Sequence, residues 1–359
     1  MQSARVSTIV VAFVLVWALP ARAFPPVVVA ATDAGSSAES VYGTNERLVQ
    51  TDLGTMLSVS WREVLASGGY LNLHGGFRLM LDPANELAVS DEEYVSFRFV
   101  VPLERSRLEL ESSLETSILD AGAASVYARP GWGVALATDR ETATRTVFYE
   151  GSYRFVQHHD SNMLRTALGI RHAFTPSVRR ARDLALTAGH EWWPTYRLRE
   201  PTGAVSNRDR QDLTAVLDAR VRGLAGYFTT WTLGGEVGGR FSNATRWIAA
   251  GDFEQDAESR VTGGLSGSIN ASPTRRVGLS GNASVHDTMY LGRSARDADQ
   301  STVGSHLNVF TLAGGAGVDY NPFGSLFVVV AAGGTRSFSR DPSFDFWRLQ
   351  GRVSVEYSF

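Results

Sequence analysis

Apolar and polar residues alternate one by one along most of this chain. In residues 71–81, Leu71, Leu73 and Phe77 alternate with Asn72 and His74. A two-residue period places successive side chains on opposite faces of an extended strand, so it predicts strands with one apolar and one polar face. The same alternation recurs in residues 95–101, 108–118, 147–155, 164–174, 213–221, 227–240, 277–285 and 347–359. No stretch keeps a helical period, so the chain is predicted to be all-β.

The alternating segments are long for a soluble protein. They run for about 12 to 15 residues, whereas strands of globular proteins usually have about 5 to 6. A tilted strand needs about 9 to 11 residues to cross a bilayer. We therefore expect a transmembrane, antiparallel, up-and-down β-barrel, with lipid on the apolar side and water on the polar side. The alternative is a soluble barrel or sandwich, which would also alternate.

The connections between these segments alternate in length. Short links rich in turn residues lie at 66–69, 104–106, 223–226, 272–275 and 321–324, with slightly longer ones at 138–144 and 175–182. Longer polar links lie at 82–92, 119–125, 157–162, 194–210, 242–257, 287–304 and 339–344. In outer-membrane barrels the short turns face the periplasm and the long loops face outside. A last strand that descends to the periplasm puts every short link here on the periplasmic side.

The strand count is about 16. Fifteen segments are recognisable from about Thr51 onward, and single-chain bacterial barrels have even numbers of strands. A sixteenth strand is expected within residues 24–50, around 27–31 or 41–48. The alternative is 14 strands, with residues 126–137 forming a loop instead of a strand.

The N-terminus has the pattern of a secretory signal peptide. Arg5 is followed by an apolar run over residues 9–19, and Ala21-Arg22-Ala23 fits a cleavage site after Ala23. We expect residues 1–23 to be removed and residues 24–359 to form one barrel domain, with 24–50 as either its first strand or a periplasmic tail.

The C-terminus ends within an alternating strand, on an aromatic residue. Val355, Tyr357 and Phe359 share its apolar face. This ending resembles the last strand of bacterial outer-membrane β-barrel proteins, the porin-like class, in which it acts as a signal read by the barrel assembly machinery. Ser354 stands where that signal favours glycine. The resemblance covers nearly the whole mature chain but identifies no particular family. It implies an outer-membrane location, with lipid, lipopolysaccharide and the assembly machinery as partners.

Composition excludes several functions. The chain has no cysteine, so disulfides and thiol chemistry are absent. All 34 basic residues are arginine; residues 24–359 (359 − 23 = 336) carry 32 of them and 37 acids, a formal charge of −5. That balance does not suit nucleic acid. We expect no cofactor, no bound metal and no enzymatic activity; the oligomeric state is left open.

The polar faces of the strands define the candidate pore lining. We predict that the following residues line it: Arg78, Arg98, Glu109, Glu111, Glu115, Glu150, Arg154, Arg165, Arg171, Asp218, Arg220, Glu236, Arg240, Arg348 and Arg352. Three of the acids lie in residues 106–119, and five of the arginines lie on strands to either side. Opposed basic and acidic walls would produce a transverse field that orders polar solutes. In the alternative interpretation, these charges simply pair and fill the interior.

Two other features invite a functional interpretation. His158, His159 and Asp160 lie together in a predicted outer loop and could bind a cation or activate water, but a polar surface loop explains them equally. The aromatic run of residues 192–196 could stack on sugars. Its simpler explanation is the aromatic girdle at the membrane interface, from which only Trp193 would point inward.

Together these features predict a porin-like channel for passive or mildly selective diffusion of small hydrophilic solutes. The alternative is a barrel conduit that exports a polysaccharide with periplasmic partners, suggested by the basic turn at residues 179–182. A third, weaker alternative is an outer-membrane hydrolase. It would require a convergent Ser/His or His/Asp set near the rim, for which His190 is a single candidate.

Overall fold

Sixteen antiparallel strands form one closed barrel in the computed structural model. The structure describes residues 27–40, 47–81, 89–120, 125–156, 162–177, 179–249, 252–297, 299 and 301–358. The predicted signal peptide, His158, His159, Asp160 and Phe359 lie outside these residues. In the described part of the chain, no helix is long and apolar enough to cross a membrane.

The barrel strands follow one another around the wall in chain order. They are β1 (Val27–Ser40), β2 (Arg47–Val64), β3 (Tyr70–Leu81), β4 (Val89–Pro102), β5 (Ser106–Asp120), β6 (Ser125–Arg140), β7 (Ala143–Val156), β8 (Met163–Ser177), β9 (Arg180–Arg199), β10 (Val205–Leu224), β11 (Thr229–Ser242), β14 (Arg260–Thr274), β15 (Val277–Arg296), β16 (Thr302–Tyr320), β17 (Leu326–Ser339) and β18 (Phe346–Ser358). The link between β11 and β14 holds a small hairpin of β12 (Arg246–Ala249) and β13 (Asp252–Glu254), and a 3-10 helix (Pro342–Phe344) precedes β18.

Closure depends on the first strand. β1 pairs with β2 on one side and with β18 on the other, with Val29 opposite Ser358. The sixteenth strand predicted within residues 24–50 is therefore confirmed, and it is longer than either predicted segment. The 14-strand alternative is wrong because β6 pairs along its length with both β5 and β7. The alternative of a two-layer sandwich is excluded by closure.

Two predicted long loops are largely strand. Residues 194–210 were expected to form a loop, but β9 continues to Arg199 and β10 starts at Val205. Residues 287–304 behave likewise, because β15 runs to Arg296. Strands that extend beyond the bilayer need no apolar face, so hydrophobic alternation stops before the hydrogen-bonded ladder does. Here polar pairs such as Arg197 with Asp209 continue the ladder.

The short periplasmic turns use glycine where the backbone requires it. Gly68, Gly226 and Gly324 have φ of 80°, 81° and 79°, a conformation that residues with a Cβ rarely adopt. At the first of these turns the Gly68 amide donates to the Leu65 carbonyl at 2.9 Å. These turns fix the register of the strands on each side.

Candidate functional site

The two faces of the barrel wall differ sharply in chemistry. Large apolar side chains on one face are exposed, with Leu168, Leu213, Leu233, Val237 and Leu265 showing 58–66% of their surface. A soluble protein would not expose such a continuous apolar surface, whereas a barrel in lipid requires it. The charged residues alternate with these positions and therefore lie on the inner face.

The strand register shows on which face of the barrel wall each predicted pore-lining residue lies. Arg98 is opposite Glu111, Glu150 opposite Gly133, and Asp218 opposite Glu236. Residues directly opposite one another share a face of the sheet. Arg78, Glu109, Glu115, Arg154, Arg165, Arg171, Arg220, Arg240, Arg348 and Arg352 fall on the same face by the same register. Their role in lining a solute path stays a prediction.

Ion pairs connect the charges on the inner face of β4–β6. Arg98 and Arg107 both contact Glu109, and Arg107 also reaches Asp139. The Arg107 Nε donates to Glu109 Oε1 at 2.6 Å. Arg98 is thus directed to Glu109 and not to Glu111, the residue opposite it in the ladder.

A second group of pairs involves Glu115. It accepts from Arg129 and, at 2.5 Å, from the Tyr127 hydroxyl. Arg129 was missed by the sequence interpretation, although alternation along β6 would have found it had residues 126–137 been taken as a firm strand. The arginines therefore sit beside the acids on neighbouring strands. The expectation of an acidic wall facing a basic wall is not what these contacts show, because charge is neutralised locally.

Other predicted pore-lining charges are also paired. Arg171 binds Asp183, the Arg220 Nε lies 3.0 Å from Asp218 Oδ1, and the His286 Nδ1 lies 3.5 Å from Glu236 Oε1. The first two pairs link neighbouring strands or lie on one strand, and the third reaches from β11 to β15 across Gly264 of β14. The pattern agrees in part with the alternative that charges pair along the wall.

A recess in the inner wall of β4–β8 departs from this pattern. It has a volume of about 360 Å³, and Gly131 and Gly133 form its floor. Glu111 and Glu150 flank Gly133 on either side, and neither forms a hydrogen bond or ion pair with a described residue. Arg165, at the far side of the recess, is likewise unpaired within the described chain. Two carboxylates and one guanidinium that form no hydrogen bond or ion pair with a described residue therefore line an open space.

The missing side chain at Gly133 leaves this space open. A Cβ there would meet Glu111 Cβ at 3.6 Å, an ordinary contact, so the position could hold a larger residue. At Gly131 a Cβ would crowd the Ser113 hydroxyl at 2.6 Å. A side chain longer than Ala at position 133 would extend into the space between the two carboxylates.

The opposite inner wall, on β14–β17, is small and neutral. Its central rows run Ser268–Asn282–Gly315–Gly333 and Ser266–Ser284–Ala313–Thr335 across the four strands. Short side chains leave room inside the barrel and add hydroxyl groups without net charge. The barrel interior therefore has one charged side and one small polar side.

A buried ion-pair network lies on the inner face near the outer ends of β9–β11. Asp212 is fully buried and accepts from Arg210 at 2.7 Å and from the Ser242 hydroxyl. Arg240 donates to Glu191 at 2.7 Å and lies 3.5 Å from Asp212. Arg240 was predicted to line a pore, but its side chain is only 20% exposed, so it mainly holds this network together.

The β11–β14 link lies beside this network, and we call its described residues, 243–249 and 252–259, the cap. The Arg199 amide donates to Thr245 Oγ1 at 2.7 Å, and the Ala257 amide to the Ala244 carbonyl at 2.9 Å. On the far side a side chain at Gly292 of β15 would collide with the backbone of Gln255 and Asp256. The cap therefore spans the inner face from β9 to β15 at the outer end of the barrel.

Arg296 of β15 holds the hairpin of the cap. Its guanidinium is 2% exposed and binds Asp252 at 2.7 Å and 2.9 Å and Glu254 at 3.4 Å. The Arg296 amide also donates to Asp341 Oδ2 at 3.3 Å, which links the β17–β18 loop to the same strand. The Arg296 guanidinium holds the pKa of the Asp252 carboxyl below its ordinary value.

An apolar cluster joins β15, β16 and the β17–β18 loop. Tyr290 and Leu307 are buried on the inner face, and Phe344 and Val309 pack against them. The Arg293 guanidinium lies 4.8 Å from the Phe344 ring. Sequence patterning missed this region, because its residues lie where strands pass from the membrane into the loops.

Trp193 and His74 also lie on the inner face of the barrel. Trp193 has the Arg154 guanidinium 5.2 Å and the Arg210 guanidinium 4.8 Å from its ring, so it points inward as predicted. His74 contacts the Ser60 hydroxyl at 2.7 Å and the Tyr94 hydroxyl at 3.0 Å. Hydroxyl groups and no carboxylate bind this imidazole, so the set lacks the acid of a hydrolytic triad.

Among the residues that the structure describes, no three His, Cys, Asp or Glu side chains converge as metal ligands. In the assembly signal, Val355 and Tyr357 lie on β18 and pair with β1 and β17 near the periplasmic end. Its role in assembly stays a prediction.

Comparison with known proteins identifies the fold. No protein-family model matches the chain, and no curated protein matches it. Among solved structures, OccAB1 from Acinetobacter baumannii matches with a TM-score of 0.53 at 6% identity, covering 93% of this chain and 97% of that one. The outer membrane protein OprD from Pseudomonas aeruginosa matches with a TM-score of 0.51 at 10% identity, covering 93% and 94%. The fold is that of bacterial outer-membrane β-barrel proteins.

The likeness extends to the fold alone, because the identities are low. CdiB from Acinetobacter baumannii also aligns, with a TM-score of 0.49 at 11% identity. The alignment covers 92% of this chain, which spans 60% of the length of CdiB. The barrel fold and its exposed apolar outer face together locate the protein in the outer membrane.

Proposed function

We propose that this barrel is a diffusion channel of the outer membrane that passes small hydrophilic solutes with mild selectivity. The observation that carries the proposal is the recess around Gly133, where Glu111, Glu150 and Arg165 face the interior without partners among the described residues. Unpaired charges in a protein interior are costly unless water or a solute solvates them. Their presence on the inner face supports a hydrated lumen.

The size of the barrel supports the same proposal. Barrel diameter grows with strand number, and at 16 strands the interior is too wide for side chains alone to fill. The small residues of β14–β17 fill it least. The cap covers part of the outer end, on the side of β9–β15, and narrows the entrance.

Selectivity follows from the charged wall. Arg98 and Arg107 neutralise Glu109, and Arg129 neutralises Glu115. This part of the wall therefore contributes local dipoles and little net electric field to the lumen. Glu111 and Glu150 are not neutralised in this way, so they attract cations and ammonium groups to one side of the lumen. A carboxylate on the same solute would favour Arg165.

An export conduit is the second candidate. The neutral wall of β14–β17 favours it, because a polymer slides more readily past short hydroxyl and glycine positions than past fixed charges. Arg179, Arg180 and Arg182 at the β8–β9 turn would then bind a periplasmic partner. A conduit of this kind would depend on that partner, whereas a channel conducts alone. The non-enzymatic character of the chain remains a prediction.

Conductance distinguishes the candidates. In planar bilayers we expect the purified protein to show stable ohmic conductance without a partner. Replacing Glu109, Glu111 and Glu115 with Gln should shift the reversal potential in a salt gradient toward anion preference, because three negative charges leave the wall.

The control is Asp345→Asn, which removes a carboxylate from the β17–β18 loop outside the charged wall. We expect its reversal potential to equal that of the unmodified protein. A protein that forms no conducting state by itself would contradict the channel. Conductance with an unchanged reversal potential in the triple variant would remove those three acids from the solute path.

A further inference from the structure

The outer surface of β6–β10 carries a groove near the periplasmic turns. It has a volume of about 650 Å³, and Ile170, Leu184, Leu186 and Leu217 form an apolar part of its lining. Arg140, Arg145 and His172 also line it. The groove lies on the lipid-facing side, because its residues share the face of the exposed apolar side chains.

The basic residues around the groove lie close together. Arg145 is directly opposite His172 across β7 and β8, and Arg140 lies one row nearer the turn, opposite Ala143. Arg182 of β9 is diagonal to His172. None of these four side chains forms a hydrogen bond or ion pair with a described residue. Arg140 and Arg145 are diagonal neighbours of like charge, which disfavours this arrangement, and a bound anion would relieve the repulsion.

The rest of the periplasmic edge is different. Over the same level, the described outward residues of β14–β18 are apolar or aromatic: Ile269, Leu279, Val318, Tyr320, Val328, Val355 and Tyr357. A general belt of snorkelling arginines would surround the barrel. The described outward residues of β14–β18 at this level carry no such charges, whereas β6–β9 carry them next to the groove.

The groove sits at the level of the periplasmic leaflet. It lies beside the β6–β7 and β8–β9 connections, which are short and therefore periplasmic. Lipid headgroups of that leaflet carry phosphates, which guanidinium groups bind in bidentate geometry. The leucine side chains that continue from the arginines toward the membrane centre match an acyl chain.

We propose that this groove binds an anionic phospholipid of the periplasmic leaflet. Arg140 and Arg145 bind the headgroup phosphate, Arg182 adds positive charge, His172 adds a ring N–H donor, and an acyl chain lies along Leu184, Leu186 and Leu217. The site is independent of the lumen, so it does not depend on the channel function.

Native mass spectrometry of the intact protein tests the site. The protein is released from nanodiscs of phosphatidylcholine that contain a minor share of phosphatidylglycerol, and the retained lipids are counted. We expect preferential retention of phosphatidylglycerol. Replacing Arg140 and Arg145 with Gln should weaken it about tenfold, since each charge-assisted contact contributes on the order of one decade in affinity and water offsets part of it.

The matched control is the double variant R275Q/R276Q. It removes two arginines from the periplasmic β14–β15 turn, on the same side of the membrane but away from the groove. It should retain phosphatidylglycerol as the unmodified protein does. The circular-dichroism spectrum of R140Q/R145Q should match that of the unmodified barrel, because neither arginine forms a hydrogen bond or ion pair with a described residue.

Three results would overturn the proposal. One is equal retention of phosphatidylglycerol by R140Q/R145Q and the unmodified protein. Another is equal retention of phosphatidylcholine and phosphatidylglycerol by the unmodified protein. The third is binding of a soluble polyglutamate peptide that depends on Arg140 and Arg145 while lipid retention does not, which would assign the surface to an acidic protein partner.

Discussion

The charged inner wall of β4–β8 differs from the cap network, by which we mean the buried ion pairs around Asp212 and those of Arg296 with the cap. The two use the same residue types in opposite ways. In the wall, Arg98 and Arg129 show 46% and 47% of their side-chain surface while they bind glutamates. In the cap network, Arg296 shows 2% and Asp212 none. One set of ion pairs is open to the interior, and the other is sealed beneath a loop.

Burial decides what each set can do. An exposed pair contributes about 0 to 1 kcal/mol to stability, so wall charges can exchange a partner for a solute at little cost. Removing one member of a buried pair costs about 3 to 5 kcal/mol, because the other charge is left without water or partner. The wall is therefore suited to selecting solutes and the cap network to holding a loop.

The largest expected effect follows from breaking the cap network. Replacing Arg296 with Met leaves Asp252 and Glu254 without their shared cation and should weaken the attachment of the cap by about 3 kcal/mol. Hydrogen exchange of the backbone amides of the cap should then accelerate on the order of a hundredfold. Single-channel conductance should rise, since the entrance is less covered.

Arg336 provides the control for that experiment. It pairs with Asp345 at 2.6 Å, but both side chains are more than one-third exposed. Arg336→Met should change the opening free energy of the cap, measured by hydrogen exchange, by less than about 1 kcal/mol. Equal effects of the two variants would show that burial does not separate the two kinds of pair.

A smaller effect is expected from filling the recess. Gly133→Leu keeps an ordinary contact at Cβ and places its methyl groups between Glu111 and Glu150. Conductance should fall severalfold and cation preference should weaken. Ala331→Leu adds similar volume to the neutral wall and should lower conductance without changing ion preference; the same loss of preference in both variants would argue against the recess.

The smallest effect is a pH dependence of the cap. The pKa of Asp252 is lowered by its hydrogen bond to Arg296, so this contact stabilises the cap above the ordinary carboxyl pKa of 3.8 and is lost as pH falls through the lower folded value. Glu254 also faces Arg296, and the loss is therefore partial. Hydrogen exchange of the cap should accelerate in that acidic range. Asp252→Asn should exchange faster at neutral pH and lack the Asp252 part of the change.

Alternation in the sequence predicts much of this structure. The inward position of residues such as Glu111 and Arg165 follows from the two-residue period, and the sixteenth strand follows when the even strand number of bacterial barrels is added. Partner choice does not follow, because Arg98 binds Glu109 and not the residue opposite it. The long flexible side chain of arginine reaches several acids, and the barrel curvature decides among them.

The cap could not be predicted from the sequence. Residues 243–259 have no period, and Gly292 and Arg296 lie where β15 extends beyond the bilayer and lipid no longer imposes alternation. The recess was missed for a related reason. Gly131 and Gly133 weaken the pattern of β6, so the segment resembled a loop.

Single-channel recording in a salt gradient tests the account most directly. It shows whether the lumen conducts ions, and whether the charged wall sets ion preference while the cap network sets conductance. The account predicts that the unmodified protein conducts, that E109Q/E111Q/E115Q shifts the reversal potential toward anions at similar conductance, and that Arg296→Met raises conductance at a similar reversal potential. A protein that does not conduct, or two variants that change both quantities alike, would contradict it.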